Sequence, residues 1–270
     1  MSQKRKGASA APPGEWQGTQ NAGQSGAASE QEAHRQVREM FSRIAPRYDL
    51  ANHVLSLEVD RLWRRRLARR FSHILANPDT TVLDLCCGTG DLAAALGRAG
   101  PARLVGIDFA HPMLARAVAK GGAAGFVRSG RNGRGNHCYV EADALNLPFS
   151  DVSFELVATA FGFRNLANYE RGLAEIRRVL KPGGTLAILE FCEPRGGLFG
   201  ALYRFYFRRL LPRIGGIISE DGAAYAYLPA SVRNFPSAVE LVRLIEAAGF
   251  LRARFEYWTG GIVALHTAVR

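Results

Sequence analysis

The sequence contains no run of about 18 apolar residues, the length that a helix needs to cross a bilayer, so we expect no transmembrane segment. The basic residues Lys4, Arg5 and Lys6 are not followed by an apolar stretch, and we therefore expect no secretory signal. The four cysteines include no C-x-x-C pair, which argues against a disulfide framework or a structural zinc site. Together these absences predict a cytoplasmic protein without a bound metal.

Acidic residues are also scarce. Asp and Glu number 24 against 35 Lys and Arg, which gives a formal net charge of +11 and predicts a basic surface. Hydrophobic residues make up 47% of the chain and charged residues 22%, a composition that excludes wholesale disorder. A chain of 270 residues is also long enough to bury a sizeable core without disulfides.

The composition changes along the chain. Residues 1–30 are rich in Gly, Ala, Ser, Pro and Gln and carry few large apolar side chains, so we predict a disordered extension. Residues 31–270 are predicted to form one domain, with a basic N-terminal helical region at about 35–76 and a lid-like insertion at about 196–234. Residues 121–136 alternate Gly, Arg and Ser and are predicted to form a surface loop.

Short apolar strands alternate with amphipathic helices through the rest of the chain. The predicted strands are 81–85, 104–107, 138–141, 154–159 and 185–190. The predicted helices are 92–98, 112–119, 169–180 and 237–248. This alternation is typical of a doubly wound α/β fold, with a mostly parallel sheet covered on both faces. Residues 253–258 and 262–269 flank a TGG turn at 259–261, which predicts an antiparallel hairpin at one edge.

The first predicted strand runs into a glycine-rich turn, from Asp84 to Asp91 (DLCCGTGD), and a helix follows. Gly88 and Gly90 allow the backbone to approach a ligand closely. The pattern also satisfies G-x-G-x-x-A, and Asp108 follows about 20 residues later, which suits a dinucleotide. Because Asp108 would bind the ribose hydroxyls of a nicotinamide cofactor or of S-adenosylmethionine, the turn alone leaves both cofactors open.

Three further features favour S-adenosylmethionine. Asp84 precedes the glycines, where its carboxylate would attract a cationic methionine group and repel a pyrophosphate. Asp143 and Ala144 follow the third strand, a place from which a carboxylate can accept the adenine amino hydrogen. Residues 180–184 (LKPGG) predict a tight turn between a helix and the next strand. In this order the features favour a methyltransferase over an NAD-dependent oxidoreductase.

The chain thus resembles the class I S-adenosylmethionine-dependent methyltransferases. More closely, it resembles the quinone-ring C-methyltransferases of menaquinone and ubiquinone biosynthesis (the UbiE/MenG family). The blocks that carry this resemblance are 40–52 (MFSRIAPRYDLAN), 160–166 (AFGFRNL), 211–215 (LPRIG), 225–228 (YAYL), 231–233 (SVR) and 259–266 (TGGIVALH). The similarity covers about residues 35–270, and it implies a Rossmann-like sheet and S-adenosyl-L-methionine as the cofactor.

The resemblance also implies a reaction, methyl transfer to a ring carbon of the polyprenyl quinol demethylmenaquinol to give menaquinol. The same chemistry on a benzoquinol precursor of ubiquinone is the alternative. The cofactor-binding residues that it implies are Asp84, Gly88, Thr89, Gly90, Asp108, Asp143 and Ala144. Loss of a phenolic proton would make the ring carbon nucleophilic, and Arg164 is the candidate that stabilises the phenolate charge. Asn165 would orient the ring hydroxyl, and Tyr48 and Asp49 would bound the pocket.

One position and one loop depart from the family pattern, and one histidine needs an interpretation. Ala160 stands where some members have a hydroxyl, so one side-chain contact to the donor is expected to be missing. The loop at 121–136 is longer and richer in glycine than the family's usual spacing. His266 lies in a strand among apolar residues, and we interpret it as a structural histidine.

Two basic segments bear on the partners. Six arginines fall within ten residues: Arg61, Arg64, Arg65, Arg66, Arg69 and Arg70. Residues 203–218 also interleave aromatic residues with arginines. Both segments predict contact with an anionic membrane surface at the inner face of the membrane, the alternative being a solvated face. The sequence has no N/D-P-P-Y/F tetrapeptide and no appended RNA-binding motif, so no nucleic-acid partner is expected and an RNA methyltransferase is disfavoured. A homodimer is left open.

Overall fold

The computed structural model describes residues 29–56, 58–120, 123–124, 137–192, 200, 205 and 222–270. The predicted disordered extension lies outside the described residues but for its last two positions. The loop at 121–136, the aromatic and arginine stretch at 203–218 and the block at 211–215 also lie outside, apart from 123–124 and 205. Of the lid-like insertion predicted at 196–234, the structure describes 200, 205 and the helix from residue 222.

The centre of the molecule is a sheet of eight strands in the order β3-β4-β2-β1-β5-β6-β8-β7. Its strands are β1 (Thr81–Leu85), β2 (Arg103–Asp108), β3 (Ala123–Ala124), β4 (His137–Glu141), β5 (Phe154–Ala160), β6 (Leu180–Phe191), β7 (Leu251–Trp258) and β8 (Val263–Val269). Strands β1 to β6 pair in parallel, whereas β8 pairs antiparallel with both β6 and β7. The predicted mostly parallel sheet with a C-terminal antiparallel hairpin is confirmed.

The helices are α1 (Glu30–Ile44), α2 (Tyr48–Leu55), α3 (Val59–Arg70), α4 (Ser72–Leu75), α5 (Asp91–Gly97), α6 (His111–Ala119), α7 (Tyr169–Val179), α8 (Gly222–Asn234) and α9 (Ala238–Ala247). Local sequence explains the first of these boundaries. The Ser29 hydroxyl accepts a hydrogen bond from the Glu32 N–H and caps α1, which buries Val37 and Met40 on one side. The basic helical region therefore begins before residue 35.

One expected turn is wrong in detail. Residues 180–184 were predicted to form a turn between a helix and a strand, but Leu180 already pairs with Phe154 and Thr185 pairs with Leu156, so residues 181–184 form a bulge inside β6. Gly183 has a φ of 76°, which glycine adopts without a steric penalty. Its N–H donates to the carbonyl of Arg270 at 3.2 Å, so the bulge is held by the C-terminal residue.

Helices cover both faces of the sheet. Leu83 packs in the same cluster as residues of α7 and α9, such as Leu173. Val82 packs on the other face with residues of α3 and α5, such as Leu67. Since side chains alternate along a strand, Asp84 points to the α3 and α5 face. The interpretation of His266 also fits, because this side chain is buried and its Nε2 lies 3.0 Å from the carbonyl oxygen of Ala238.

The strand order places a crevice at one end of the sheet. Strand β1 lies between β2 and β5, so the chain leaves the centre in both directions. In such sheets ligands bind beyond the carboxyl ends of the strands where the order reverses. Among the described residues, no helix is long and apolar enough to cross a membrane.

Candidate active site

A pocket of about 850 Å³, including the space at its mouth, occupies this crevice. Eight of the predicted site residues line it: Tyr48, Asp84, Gly88, Thr89, Asp108, Asp143, Ala144 and Asn165. Gly90 and Arg164 lie behind its wall and are not among the lining residues. The structure therefore brings most of the predicted site residues, which are spread over more than a hundred positions of the sequence, to one cavity.

Asp108 ends β2 and holds the glycine-rich turn. Its Oδ2 accepts a hydrogen bond from the Gly88 N–H at 2.9 Å, and its Oδ1 accepts one from the Ala110 N–H at 2.9 Å. Burial raises the pKa of this carboxyl to about 6, and the backbone donors oppose that rise. Each carboxylate oxygen keeps acceptor capacity, so Asp108 can also bind hydroxyl groups of a ligand.

Asp84 is almost completely buried, at 1% exposure, and is only half satisfied. Its Oδ2 accepts from the Ala93 N–H at 2.8 Å, whereas its Oδ1 has no hydrogen-bond partner within the described part of the chain. Burial raises the pKa of this carboxyl to about 8. A buried oxygen without a partner in a pocket wall favours a donor or a cation supplied by a ligand.

The glycine-rich turn needs glycine at position 90. Gly90 has a φ of 83° and precedes α5, and a Cβ there would collide with the hydroxyl of Tyr139. Between the glycines, the Thr89 hydroxyl donates to Asp49 Oδ1 at 2.5 Å and lies 2.9 Å from Lys120 Nζ. Thr89 therefore links the turn to α2 while it lines the pocket.

Asp143 lies at the far end of the pocket, after β4. Its Oδ1 accepts from the Leu145 N–H at 2.8 Å and lies 3.5 Å from His34 Nε2. Burial would raise the pKa of Asp143, but the bonds from His34 and Leu145 outweigh it and hold the pKa below its usual range. The His34 ring lies 4.9 Å from the ring of Phe109, which also lines the pocket. An ionised acceptor beside two rings suits a flat heterocycle with an amino group.

Two pocket residues hold strained backbone conformations. Cys86 follows β1 with a φ of 56°, and Phe161 follows β5 with a φ of 65°. Such conformations cost about 1–3 kcal/mol for a residue other than glycine and concentrate at functional sites. Burial raises the pKa of the Cys86 thiol well above its ordinary value, so this thiol stays protonated.

Arg164 is turned away from the cavity. It is 5% exposed, and its guanidinium donates to Glu190 Oε2 at 3.1 Å and to the carbonyl of Phe161. Its Nε also lies 3.3 Å from Ser231 Oγ. The buried pair with Glu190 fixes the loop behind the pocket, so the geometry gives Arg164 a positioning contact and shows none with the cavity.

Asn165, the next residue, does face the cavity. Its Oδ1 accepts a hydrogen bond from the Tyr227 hydroxyl at 2.9 Å. Because the oxygen is engaged, the amide nitrogen is the group left to donate to a ligand. Tyr48 lines the same pocket, with its ring 6.0 Å from that of Phe41 in an edge-on contact.

Arg64 corrects one expectation from the sequence. It was counted with the exposed arginines of the basic segment, but α3 buries it to 8% exposure and turns its side chain into the pocket wall. The guanidinium donates to Asp60, one helical turn earlier, and lies 5.2 Å from the centre of the Phe161 ring. The helical spacing could have predicted this burial. Arg64 lies on the same side of α3 as Trp63 and Leu67, which are both buried.

Comparison with known proteins agrees with this geometry. A model of the ubiE/COQ5 methyltransferase family matches residues 28–270. A demethylmenaquinone methyltransferase of Thermus thermophilus is 49% identical over 233 residues, which are 86% of this chain and 100% of that protein. The ubiquinone/menaquinone biosynthesis C-methyltransferase UbiE of Syntrophotalea carbinolica is 42% identical over 235 residues, or 87% of this chain and 94% of that protein.

Solved structures share the fold at lower identity. The cyclase SpnF is 18% identical, with a TM-score of 0.62 over 88% of this chain and 96% of that one. A SAM-dependent methyltransferase of Thermotoga maritima, a possible histamine N-methyltransferase, is 17% identical, with a TM-score of 0.54 over 86% of this chain and 98% of that one. Since a cyclase and a methyltransferase share the architecture, these likenesses show the fold alone.

Proposed function

Because the chain belongs to the ubiE/COQ5 methyltransferase family, we propose that it methylates the ring of demethylmenaquinol to give menaquinol. It is an S-adenosyl-L-methionine-dependent methyltransferase with the class I fold. The observation that carries the proposal is the 49% identity, over the full length of the relative, to a demethylmenaquinone methyltransferase. The arrangement of acidic residues in the pocket supports the same reading.

The pocket fits the methyl donor. Asp84 has a buried oxygen without a partner in the described part of the chain, which a positively charged ligand would satisfy. Asp108 would accept hydrogen bonds from the ribose hydroxyls, and Asp143 would accept one from the adenine amino group. The uncharged residues Gly88, Thr89 and Ala144 would form the rest of the pocket wall around the donor. When bound, S-adenosyl-L-methionine supplies an electrophilic methyl group on a sulfonium.

The residues of the chain have to make the acceptor carbon nucleophilic and hold it in line. Asn165 would donate from its amide nitrogen to a ring oxygen, which favours the loss of the phenolic proton. Tyr48 and Phe161 would bound the ring on the pocket wall. Positioning of two reactants in this way contributes roughly 7–11 kcal/mol to a bimolecular step.

The resemblance implies that Arg164 stabilises the phenolate charge, and we propose that it does so indirectly. Its guanidinium bonds Glu190, so it would act on the ring through the loop that carries Asn165. Both members of the pair are buried, and their removal would displace that loop. We therefore propose Arg164 as a positioning residue.

The benzoquinol alternative rests on names alone. Relatives at 42% and 43% identity bear the joint name ubiquinone/menaquinone biosynthesis C-methyltransferase. The higher identity at 48–49% belongs to proteins named demethylmenaquinone methyltransferase, which favours the naphthoquinol.

A polyprenyl quinol is insoluble in water, so we place the enzyme at a bilayer surface. Helix α3 exposes Leu62 at 58% together with Arg61, Arg65 and Arg69. An apolar side chain flanked by arginines suits an anionic lipid surface, where each basic residue contributes about 1 kcal/mol. The exposed face of α3 would then lie on the membrane from which the substrate is taken.

The acceptor is tested with labelled donor. We would incubate the protein with methyl-labelled S-adenosyl-L-methionine and, in parallel, demethylmenaquinol, a benzoquinol precursor of ubiquinone, or tRNA. We expect label in the naphthoquinol. Label in the benzoquinol alone would shift the assignment to the alternative, and label in tRNA would overturn the proposed function. The Asp108→Asn variant serves as the donor-site control.

A further inference from the structure

The pocket contains one basic side chain that the proposed reaction has not used. Among the lining residues of the described chain, Arg64 is the single arginine or lysine, whereas four are aspartates: Asp84, Asp91, Asp108 and Asp143. Its exposure is 8%, and a buried guanidinium is costly unless its charge is opposed. Asp60 opposes this charge, and the remaining N–H donors of the guanidinium suit an anionic group of a ligand.

The position of Arg64 is fixed by a network on α2 and α3. Asp60 accepts from Arg64 and from the Ser56 hydroxyl, the latter at 2.6 Å, and His53 Nδ1 lies 3.2 Å away. Burial opposes ionisation of Asp60, but Arg64 and Ser56 outweigh it and lower its pKa. Asp60 therefore stays charged and holds the guanidinium in place.

Arg64 keeps free donors towards the cavity. Within the described part of the chain, Asp60 is the one hydrogen-bond acceptor that we find for its side chain. A guanidinium has five N–H donors in a planar fork that matches the two oxygens of a carboxylate. The side chain is thus anchored at one end of the fork, with donors left for a second carboxylate.

Arg64 and Asp84 lie on the same side of the sheet. Asp84 points to the face that α3 and α5 cover, and Arg64 is carried by α3. The two are close enough for the charge of Arg64 to favour ionisation of Asp84. The pocket therefore presents an acidic and a basic side chain on the same side of the sheet, which is complementary to a zwitterionic amino acid.

We propose that Arg64 binds the α-carboxylate of the methionine part of the donor, while Asp84 faces its ammonium and sulfonium. The inference rests on the proposed function, because it takes S-adenosyl-L-methionine as the donor. A ring oxygen of the acceptor is the other anionic group in the reaction. Asp84 favours the carboxylate of the donor over the ring oxygen. An acidic side chain on the same side of the sheet suits the positively charged ammonium and sulfonium of the donor, and the quinol carries no positive charge.

The test compares two donors by calorimetry, with Arg64→Gln, Arg64→Lys and the exposed neighbour Arg65→Gln as the matched control. The probes are S-adenosyl-L-methionine and its decarboxylated form, which keeps every group except the carboxylate. We expect Arg64→Gln to weaken binding of S-adenosyl-L-methionine about tenfold to hundredfold, the range for a charge-assisted hydrogen bond. Binding of the decarboxylated donor should stay equal or tighten, because a positive charge near a cationic ligand is lost. Arg64→Lys should recover part of the affinity for S-adenosyl-L-methionine. Arg65→Gln should leave the affinity for both donors unchanged.

Other outcomes overturn the inference. Equal losses for both donors would make Arg64 a structural residue, and no loss for either would remove it from the donor site. If Arg64→Gln does not fold, the wild-type protein decides, since equal affinity for the two donors excludes a carboxylate contact. A wild-type protein that binds neither donor would refute the proposed function itself, which separates that failure from this one.

Discussion

The Oδ2 of Asp108 accepts a hydrogen bond from the N–H of Gly88 at 2.9 Å, which ties the end of β2 to the glycine-rich turn after β1. One carboxylate thus holds the turn and faces the pocket. The same two strand ends carry Asp84 and Asp108, so the donor site is built from acids at neighbouring carboxyl ends. Substitutions of Asp84 and Asp108 should therefore reduce donor affinity more than they reduce the stability of the fold.

Replacement of Asp108 by Asn should weaken the binding of the donor. The amide keeps one acceptor but loses the charge that strengthens hydrogen bonds from ribose hydroxyls, so we expect affinity to fall about tenfold to hundredfold. Calorimetry with S-adenosyl-L-methionine measures the change. Unchanged affinity would remove Asp108 from the site, and tighter binding of NADH than of S-adenosyl-L-methionine would contradict the whole assignment.

Donor binding should release protons. Burial raises the pKa of Asp84 to about 8 in the free protein, so at neutral pH this carboxyl is mostly protonated. A cationic ligand favours the ionised form and lowers that pKa, which expels the proton. Affinity should therefore rise with pH and level off above the pKa of the free protein.

Calorimetry at pH 7 in buffers of different ionisation enthalpy counts the released protons. The Asp84→Asn variant is the control, because it cannot release this proton and should bind the donor more weakly at neutral and higher pH, with an affinity that depends less on pH. Proton release that persists undiminished in Asp84→Asn would assign the effect to another group, of which Asp108, with a pKa of about 6, is the next candidate.

Arg164→Ala should destabilise the protein. Glu190 is 0% exposed, and loss of its partner leaves an uncompensated buried charge, which costs about 3–5 kcal/mol. The free energy of unfolding in urea should recover in part when Glu190→Gln is added. Normal stability with a lower kcat in Arg164→Ala would instead support a direct contact with the quinol ring.

Vesicle binding should depend on the exposed face of α3. We expect reversible binding to vesicles that contain anionic lipid, weaker in high salt and small on neutral vesicles. Replacement of Arg61, Arg65 and Arg69 by Gln should reduce it and slow methylation of a long-tailed quinol, with a short-tailed analogue methylated as before.

The matched control removes the same charge elsewhere, by replacement of the exposed residues Arg98, Arg243 and Arg254 with Gln. Equal loss of vesicle binding in both triple variants would mean that net charge acts alone. Equal slowing of both quinols in the α3 variant would mean that its arginines support the pocket.

The alternation of strands and helices predicted the sheet, since buried parallel strands and amphipathic helices have distinct periodicities. The acids at strand ends could be placed in one pocket for the same reason, because parallel strands bring their carboxyl ends together. The bulge at 181–184 could not be predicted, since it depends on the pairing of Leu180 with Phe154 across the sheet.

The directions of the arginine side chains could not be predicted from the sequence either. Arg64 was predicted to lie on the exposed basic segment and Arg164 in the pocket, yet Arg64 lines the pocket and Arg164 pairs with Glu190 behind it. The partner of each arginine decides its direction, and Glu190 is 26 residues away from Arg164. The strained backbone at Phe161 is likewise set by tertiary packing and leaves no mark on composition.

The position of the transferred methyl group tests the proposed reaction most directly. We would incubate the protein with ¹³C-methyl-labelled S-adenosyl-L-methionine and demethylmenaquinol, extract the quinone, and locate the label by NMR. We expect the label on the one carbon of the hydroxyl-bearing ring that carries hydrogen in the substrate. Label on a phenolic oxygen, or no labelled quinone although the donor binds, would contradict it.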